Sequence, residues 1–189
     1  MQLPATELAL VYRLCGRLLL REVDAPALEL LRQPPVRATL ERAAPGAAAA
    51  LDAWDDEAQR EEFTRLFLLP EGVSPRASAW LPRERDTLGA GVARVSEALL
   101  AELGRSPDQL PGVGRLPRDH GALLLELAAL ALERDPRRGA SFVKESLAPW
   151  LGVCGRELER TSRSPLYRAL GVLLATLHPR PLPLCPEAS

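Results

Sequence analysis

Ten residues, LLLELAALAL from Leu123 to Leu132, limit most strongly how this chain can fold. Nine are apolar, and only Glu126 interrupts them. Leucine and alanine are strong helix formers, and the run contains no glycine, proline or β-branched residue. A helix that is apolar nearly all round offers no face to water, so it belongs in the middle of a bundle. The rest of the chain must supply helices to surround it.

Those helices are visible as a 3.6-residue period. Leu8, Val11, Cys15, Leu18 and Leu19 fall on one helical face. Val92, Val95, Leu99, Leu100 and Leu103 repeat the pattern. Val143, Leu147, Trp150, Leu151, Cys154 and Leu158 form a third stripe, and Leu166, Leu170, Leu173, Leu174 and Leu177 a fourth. No stretch alternates with period two, so no strand is predicted. The expected fold is all-α: one domain over residues 1–189, with eight to ten helices of uneven length and the 119–134 helix at the centre.

Prolines punctuate the pattern. Ser164-Pro165 and Asp135-Pro136 read as N-caps followed by proline at the first helical position, where its missing N–H costs nothing. Pro34-Pro35 and Pro45-Gly46 separate short helices. Pro149 lies inside the third stripe and predicts a kink. From His178 onward the chain is too rich in proline for a helix and reads as a C-terminal tail over 178–189.

Bulk properties exclude several functions. A net charge of −1 and a pI near 6.2 oppose a charge-driven nucleic-acid surface, and 4% aromatic content leaves few rings for bases to stack on. No run of about 18 apolar residues predicts a membrane span. The N-terminus, MQLPATELAL, lacks the features of a secretory leader, so a cytoplasmic location is expected. Three cysteines, Cys15, Cys154 and Cys185, are odd in number and far apart, against a disulfide framework. With no C-x-x-C pair and two histidines, His120 and His178, no metal site is expected.

Two long connections remain, residues 69–82 and 104–119, and loops of that length in a helical domain often carry function. The second ends in LPRDHGALLLEL, residues 116–127. On spacing alone Asp119 is the N-cap of the central helix and His120 an ordinary first-turn residue. A catalytic Asp119–His120 pair is disfavoured, because helix neighbours project roughly 100° apart. No serine-elbow, phosphate-loop or H-E-x-x-H motif supplies a partner for it.

The same stretch resembles the Pro-x-Asp-His helix start of the TorD/DmsD family, cytoplasmic chaperones that mature molybdenum-containing redox enzymes. EEFTRLFLLPEGVSPRASAWL, residues 61–81, is similar to a second family marker through Phe63, Leu66, Phe67, Pro75, Ser78 and Trp80. SLAPWL, residues 146–151, resembles the Pro-Trp of a late helix. The three likenesses occur in the family's order and span most of the chain. Departures fall in the two loops: Arg76 where an aromatic is frequent, Ala77 where an acid is frequent, and Arg115 in place of another acid.

The resemblance implies a non-enzymatic chaperone that binds the twin-arginine signal peptide of a molybdoenzyme. It would hold the apo catalytic subunit during cofactor insertion and so delay export. It implies Pro75, Ser78, Trp80, Pro117, Asp119 and His120 as signal-peptide-binding residues, with no retained cofactor or metal. A monomer and a domain-swapped dimer are both compatible with it. In such a site, burying an apolar side chain gives about 1.5–3 kcal/mol, a half-exposed ion pair roughly 0–1, and ordering the peptide costs about 2–5. Apolar packing would therefore supply affinity, and carboxylates would set register.

Other readings stand beside this one. Trp80 by its sequence context is partly buried core; family position makes it a contact. Phe63, Leu66, Phe67, Trp54 and Trp150 are expected in the core. LDAWDDEAQREE, residues 51–62, reads as a solvated helix face that could also attract a basic segment. DPRRGASFVKE, from Asp135, is a helix start rather than a signal. The rival functions are an all-helical adaptor or regulatory subunit without signal-peptide binding, and a small enzyme using His120.

Overall fold

The computed structural model describes residues 4–81, 87–110 and 112–177. The predicted tail at 178–189, with His178 and Cys185, lies outside the described residues. Within them are ten α-helices and no strand. They are α1 (Ala5–Leu20), α2 (Ala25–Arg32), α3 (Pro34–Ala43), α4 (Ala47–Asp52), α5 (Asp56–Phe63) and α6 (Thr87–Glu102). After these come α7 (Gly121–Arg134), α8 (Pro136–Phe142), α9 (Leu151–Thr161) and α10 (Pro165–Thr176).

The all-apolar run becomes α7, and its leucines from Leu123 to Leu127 are fully buried. Helix α1 packs along α7 and is joined to it by Arg13, which bonds both Glu126 and Glu133. Helices α9 and α10 form the second close pair. Their backbones touch where Gly155 meets Gly171: a Cβ on Gly155 would lie 2.6 Å from the Gly171 carbonyl oxygen. Helix α10 also covers α3 and α4, and its end meets α1, where the buried Tyr12 hydroxyl donates to Leu177 O at 3.0 Å.

Two helices change pitch at their ends. Helix α5 runs into a π-helical turn, Thr64–Leu68, and α8 into another, Val143–Leu147. The second resolves Pro149 differently from a kink. A proline at that position cannot donate to Glu145, and its ring would crowd that carbonyl. The chain unwinds through the π turn, with Ala148 N bonded to Val143 O at 2.9 Å, and a new helix starts at Leu151. One sequence stripe is therefore two helices.

Caps follow the sequence in part. Asp135 accepts from Arg137 N and Arg138 N at 2.9 and 3.3 Å, as its Pro neighbour suggested. Ser164 is the N-cap residue of α10, but its hydroxyl turns to Gln59 at 2.9 Å. The free N–H groups before α10 go to Glu62, whose Oε1 accepts from Arg163 N at 2.6 Å and Ser164 N at 3.3 Å. The acidic run on α5 is a solvated face except at Glu62, which is 6% exposed. Arg65 grips it with a two-oxygen fork at 2.8 and 2.9 Å. Burial alone would raise the Glu62 carboxyl, but Arg65 and the N–H groups outweigh it and hold it down at about 2.

Phe63 and Leu66 are core, Phe67 is partly buried, and with Tyr167 the two phenylalanines make an aromatic cluster at 5.2–6.5 Å between centroids. Trp150 is fully buried, with Nε1 donating to Ser146 O. Trp54, expected in the core, only leans on it: its Nε1 reaches the exposed Asp56.

Candidate functional site

The three motif segments meet at the N-terminal tip of α7. From the first π turn the chain folds back on itself, with Val73 N bonded to Leu66 O. It then runs past α7 as an extended strip. Pro75 O accepts from Gly121 N at 2.7 Å, and Ala77 N donates to Asp119 O at 2.9 Å, which makes an isolated antiparallel bridge between Arg76 and His120. The third segment closes the back: Cys154 Sγ lies 3.8 Å from Ser74 O, and the Trp150 ring sits against Gly121. A Cβ at Gly121 would be 3.0 Å from Pro75 O and 3.2 Å from Trp150 Cη2, so a side chain there would press the loop and the ring apart by a few tenths of an ångström.

Asp119 is not the N-cap. That part falls to His120, whose Nδ1 accepts from Ala122 N at 3.2 Å. Asp119 is instead drawn sideways into the loop, 5% exposed. Its Oδ2 accepts from Ser78 N at 3.3 Å, and its Oδ1 accepts from Arg76 Nε and Nη2 at 3.2 and 3.1 Å. Two adjacent residues can each cap a helix; here the loop claims the first, and the cap moves on by one.

Burial works against the Asp119 charge, yet hydrogen bonds from Ser78 and Arg76 carry its carboxyl below the usual range. Burial lowers His120, Arg76 adds to that, and Asp119 opposes it. A neutral imidazole suits the cap, since only an unprotonated Nδ1 can accept. The two side chains therefore have separate duties and do not form a catalytic pair. The nearest thiol, Cys154, is buried and pushed up to about 12, so it offers no thiolate.

The remaining expected residues surround this tip. Trp80 is half-buried, packed on the core, with Nε1 donating to Ser74 O at 2.7 Å. Pro117 is exposed, and its carbonyl accepts from His120 N. Ser78 is exposed and Pro75 half-buried. On α6 the buried Ser96 hydroxyl lies 3.2 Å from Arg118 O, tying the second loop to its neighbour. Leu68 and Leu69 stand exposed where α5 runs into the loop, and Val153 is exposed next to Cys154. Sequence reasoning missed Gly121, Trp150 and Cys154 as parts of this junction; a glycine in the first turn of a helix was the available signal.

A separate cleft of about 510 Å³ lies between α5 and the start of α10, but its polar walls are engaged with one another, Glu62 with Arg65 and Gln59 with Ser164. Among the described residues no group of acids, histidines and cysteines is placed to hold a metal ion, and no helix is long and apolar enough to cross a membrane.

A family model described as nitrate reductase delta subunit matches residues 33–155, which include all three converging segments. The chain belongs to the nitrate reductase delta subunit family. This is a family of molybdoenzyme maturation chaperones, the group to which the TorD/DmsD likeness pointed. It is not a family of catalysts, in keeping with the separate duties of Asp119 and His120. No curated protein matches this delta-family chain closely enough to count as a relative. The matched span leaves out α1, α2, the end of α9 and α10.

Proposed function

We propose that this chain works in the cytoplasm, binding the twin-arginine signal peptide of a molybdenum-containing oxidoreductase at the α7 tip. It holds the apo catalytic subunit there until the cofactor is in place. One observation carries this reading: three segments far apart in sequence, at 61–81, 116–127 and 146–151, meet at the N-terminal tip of α7, two of them with exposed residues. Leu68, Leu69 and Val153 are exposed and suit the apolar run of a signal; Asp119 suits its arginine.

The test is calorimetry with a synthetic signal peptide, paired with a control peptide in which both arginines are glutamine. Asp119→Asn should weaken binding of the first by roughly tenfold, with the far-UV circular dichroism unchanged. Equal binding of the two peptides would remove the reading. An adaptor or regulatory subunit without signal-peptide binding is the rival, favoured by the existing pairing of Asp119 with Arg76. Co-purification with an assembled oxidoreductase, and never with its precursor, would select it.

A further inference from the structure

Asp119 lies beneath an arginine of its own chain, and that pair is not a two-oxygen fork. Arg60 meets Glu22 through one oxygen at 3.1 Å, but other pairs are two-oxygen forks: Arg65 on Glu62 at 2.8 and 2.9 Å, Arg138 on Glu102 at 2.7 and 3.1 Å. Arg76 instead sends both Nε and Nη2 to the single oxygen Oδ1, at 3.2 and 3.1 Å. A guanidinium that spans one oxygen forgoes the parallel geometry that makes such pairs strong. The two partners also differ in exposure, 51% for the Arg76 side chain and 7% for that of Asp119. If the pair opens, the arginine moves into water and the carboxylate stays.

The loop does not depend on that guanidinium. Its backbone is fastened by Gly121 N to Pro75 O, Ala77 N to Asp119 O, and Ser78 N to Asp119 Oδ2. Trp80 Nε1 to Ser74 O adds a fourth tie. None of these uses the Arg76 side chain. With Arg76 swung away, Asp119 would remain in place, buried and hydrogen-bonded by Ser78 but without the Arg76 counter-charge, and a buried carboxylate in that condition favours a cation.

We propose that Arg76 is a built-in placeholder for a guest arginine, and that it sets the site's selectivity. The guest guanidinium takes Oδ1 of Asp119 as the Arg76 head moves to solvent. This deepens, and rests on, the reading that the α7 tip receives an arginine-bearing peptide. A guest must outcompete a guanidinium already present, so a lysine, with its compact and strongly hydrated ammonium, is rejected more firmly than at an open carboxylate.

The experiment compares wild type with Arg76→Ala and Arg76→Gln in two titrations. With the twin-arginine peptide, both variants should bind about two- to fivefold more tightly, the range that an exposed ion pair supports. With methylguanidinium, read by the Ser78 amide signal in NMR, the variants should respond, while wild type and Arg76→Ala/Asp119→Asn should not. Equal peptide affinity in wild type and variants would overturn the placeholder. If no protein binds the peptide, the signal-peptide reading fails by itself. Methylguanidinium then decides the placeholder alone: a Ser78 response in Arg76→Ala upholds it, and silence overturns it. Loss of the helical spectrum in both variants would mean that the guanidinium holds the loop, which also overturns it.

Discussion

Replacing Glu62 with glutamine tests whether a carboxylate seated under α10 holds two helices together. Glu62 is held at about 2 against an ordinary 4.5, and each tenfold change in proton affinity corresponds to about 1.4 kcal/mol. The full linkage is then roughly 3 kcal/mol. Water in the neighbouring cleft screens part of it, leaving about 2 kcal/mol. The sign follows from the direction of the shift. A carboxyl depressed by folding stabilises the native state above its unfolded value, and that contribution fades as the pH falls from near 5 toward 2. Urea unfolding at 222 nm, repeated from pH 7 to pH 3, should show wild type losing this increment on acidification. Glu62→Gln should be about 2 kcal/mol less stable at pH 7 and lose correspondingly less below pH 5. Parallel pH curves for the two proteins would refute the reasoning, because the carboxylate would then bear no linkage.

Two further outcomes are expected. His120 should titrate below 6.5 by NMR; because its folded value is lowered, stability should fall as the pH drops through 6.5 toward that value. His120→Asn, which keeps an N-cap acceptor, should abolish the fall, and a midpoint at or above 6.5 would contradict the cap. Gly155→Ala places a methyl 2.6 Å from Gly171 O, so it should cost about 1–3 kcal/mol and lower the Tm by several degrees. In a helix without that close approach the same change stabilises by up to about 1 kcal/mol, so the sign alone decides.

The sequence carried the helices and the neighbourhood of the site, but not the division of labour inside it. Periodicity identified α1, α6, α7 and α10, because each hides one stripe or its whole surface. The loop motifs marked the segments that converge on α7. What escaped was tertiary. Asp119 and His120 are both able to cap, and only the neighbouring loop decides which one does. Arg76 reads in sequence as a departure, yet in space it is the residue that meets Asp119. Glu62 looks like one more acid of a solvated run; its placement four residues before the buried Leu66 was the local hint that it faces inward. Pro149 breaks a helix that its stripe seemed to continue, because a π turn absorbs the register on the way.

The bond from Tyr12 to Leu177 bears on how the molecule is born. Helix α1 leaves the ribosome before its partners do: the buried Leu177 lies 165 residues downstream of Tyr12, and Glu126, which pairs with Arg13, lies 113 downstream. Until α7 and α10 have been synthesised, the greasy stripe of α1 has nothing to cover it. A nascent chain halted before α7 should leave the α1 amides open to rapid hydrogen exchange. Helix α1 thus finds its cover only in helices more than a hundred residues further along the chain.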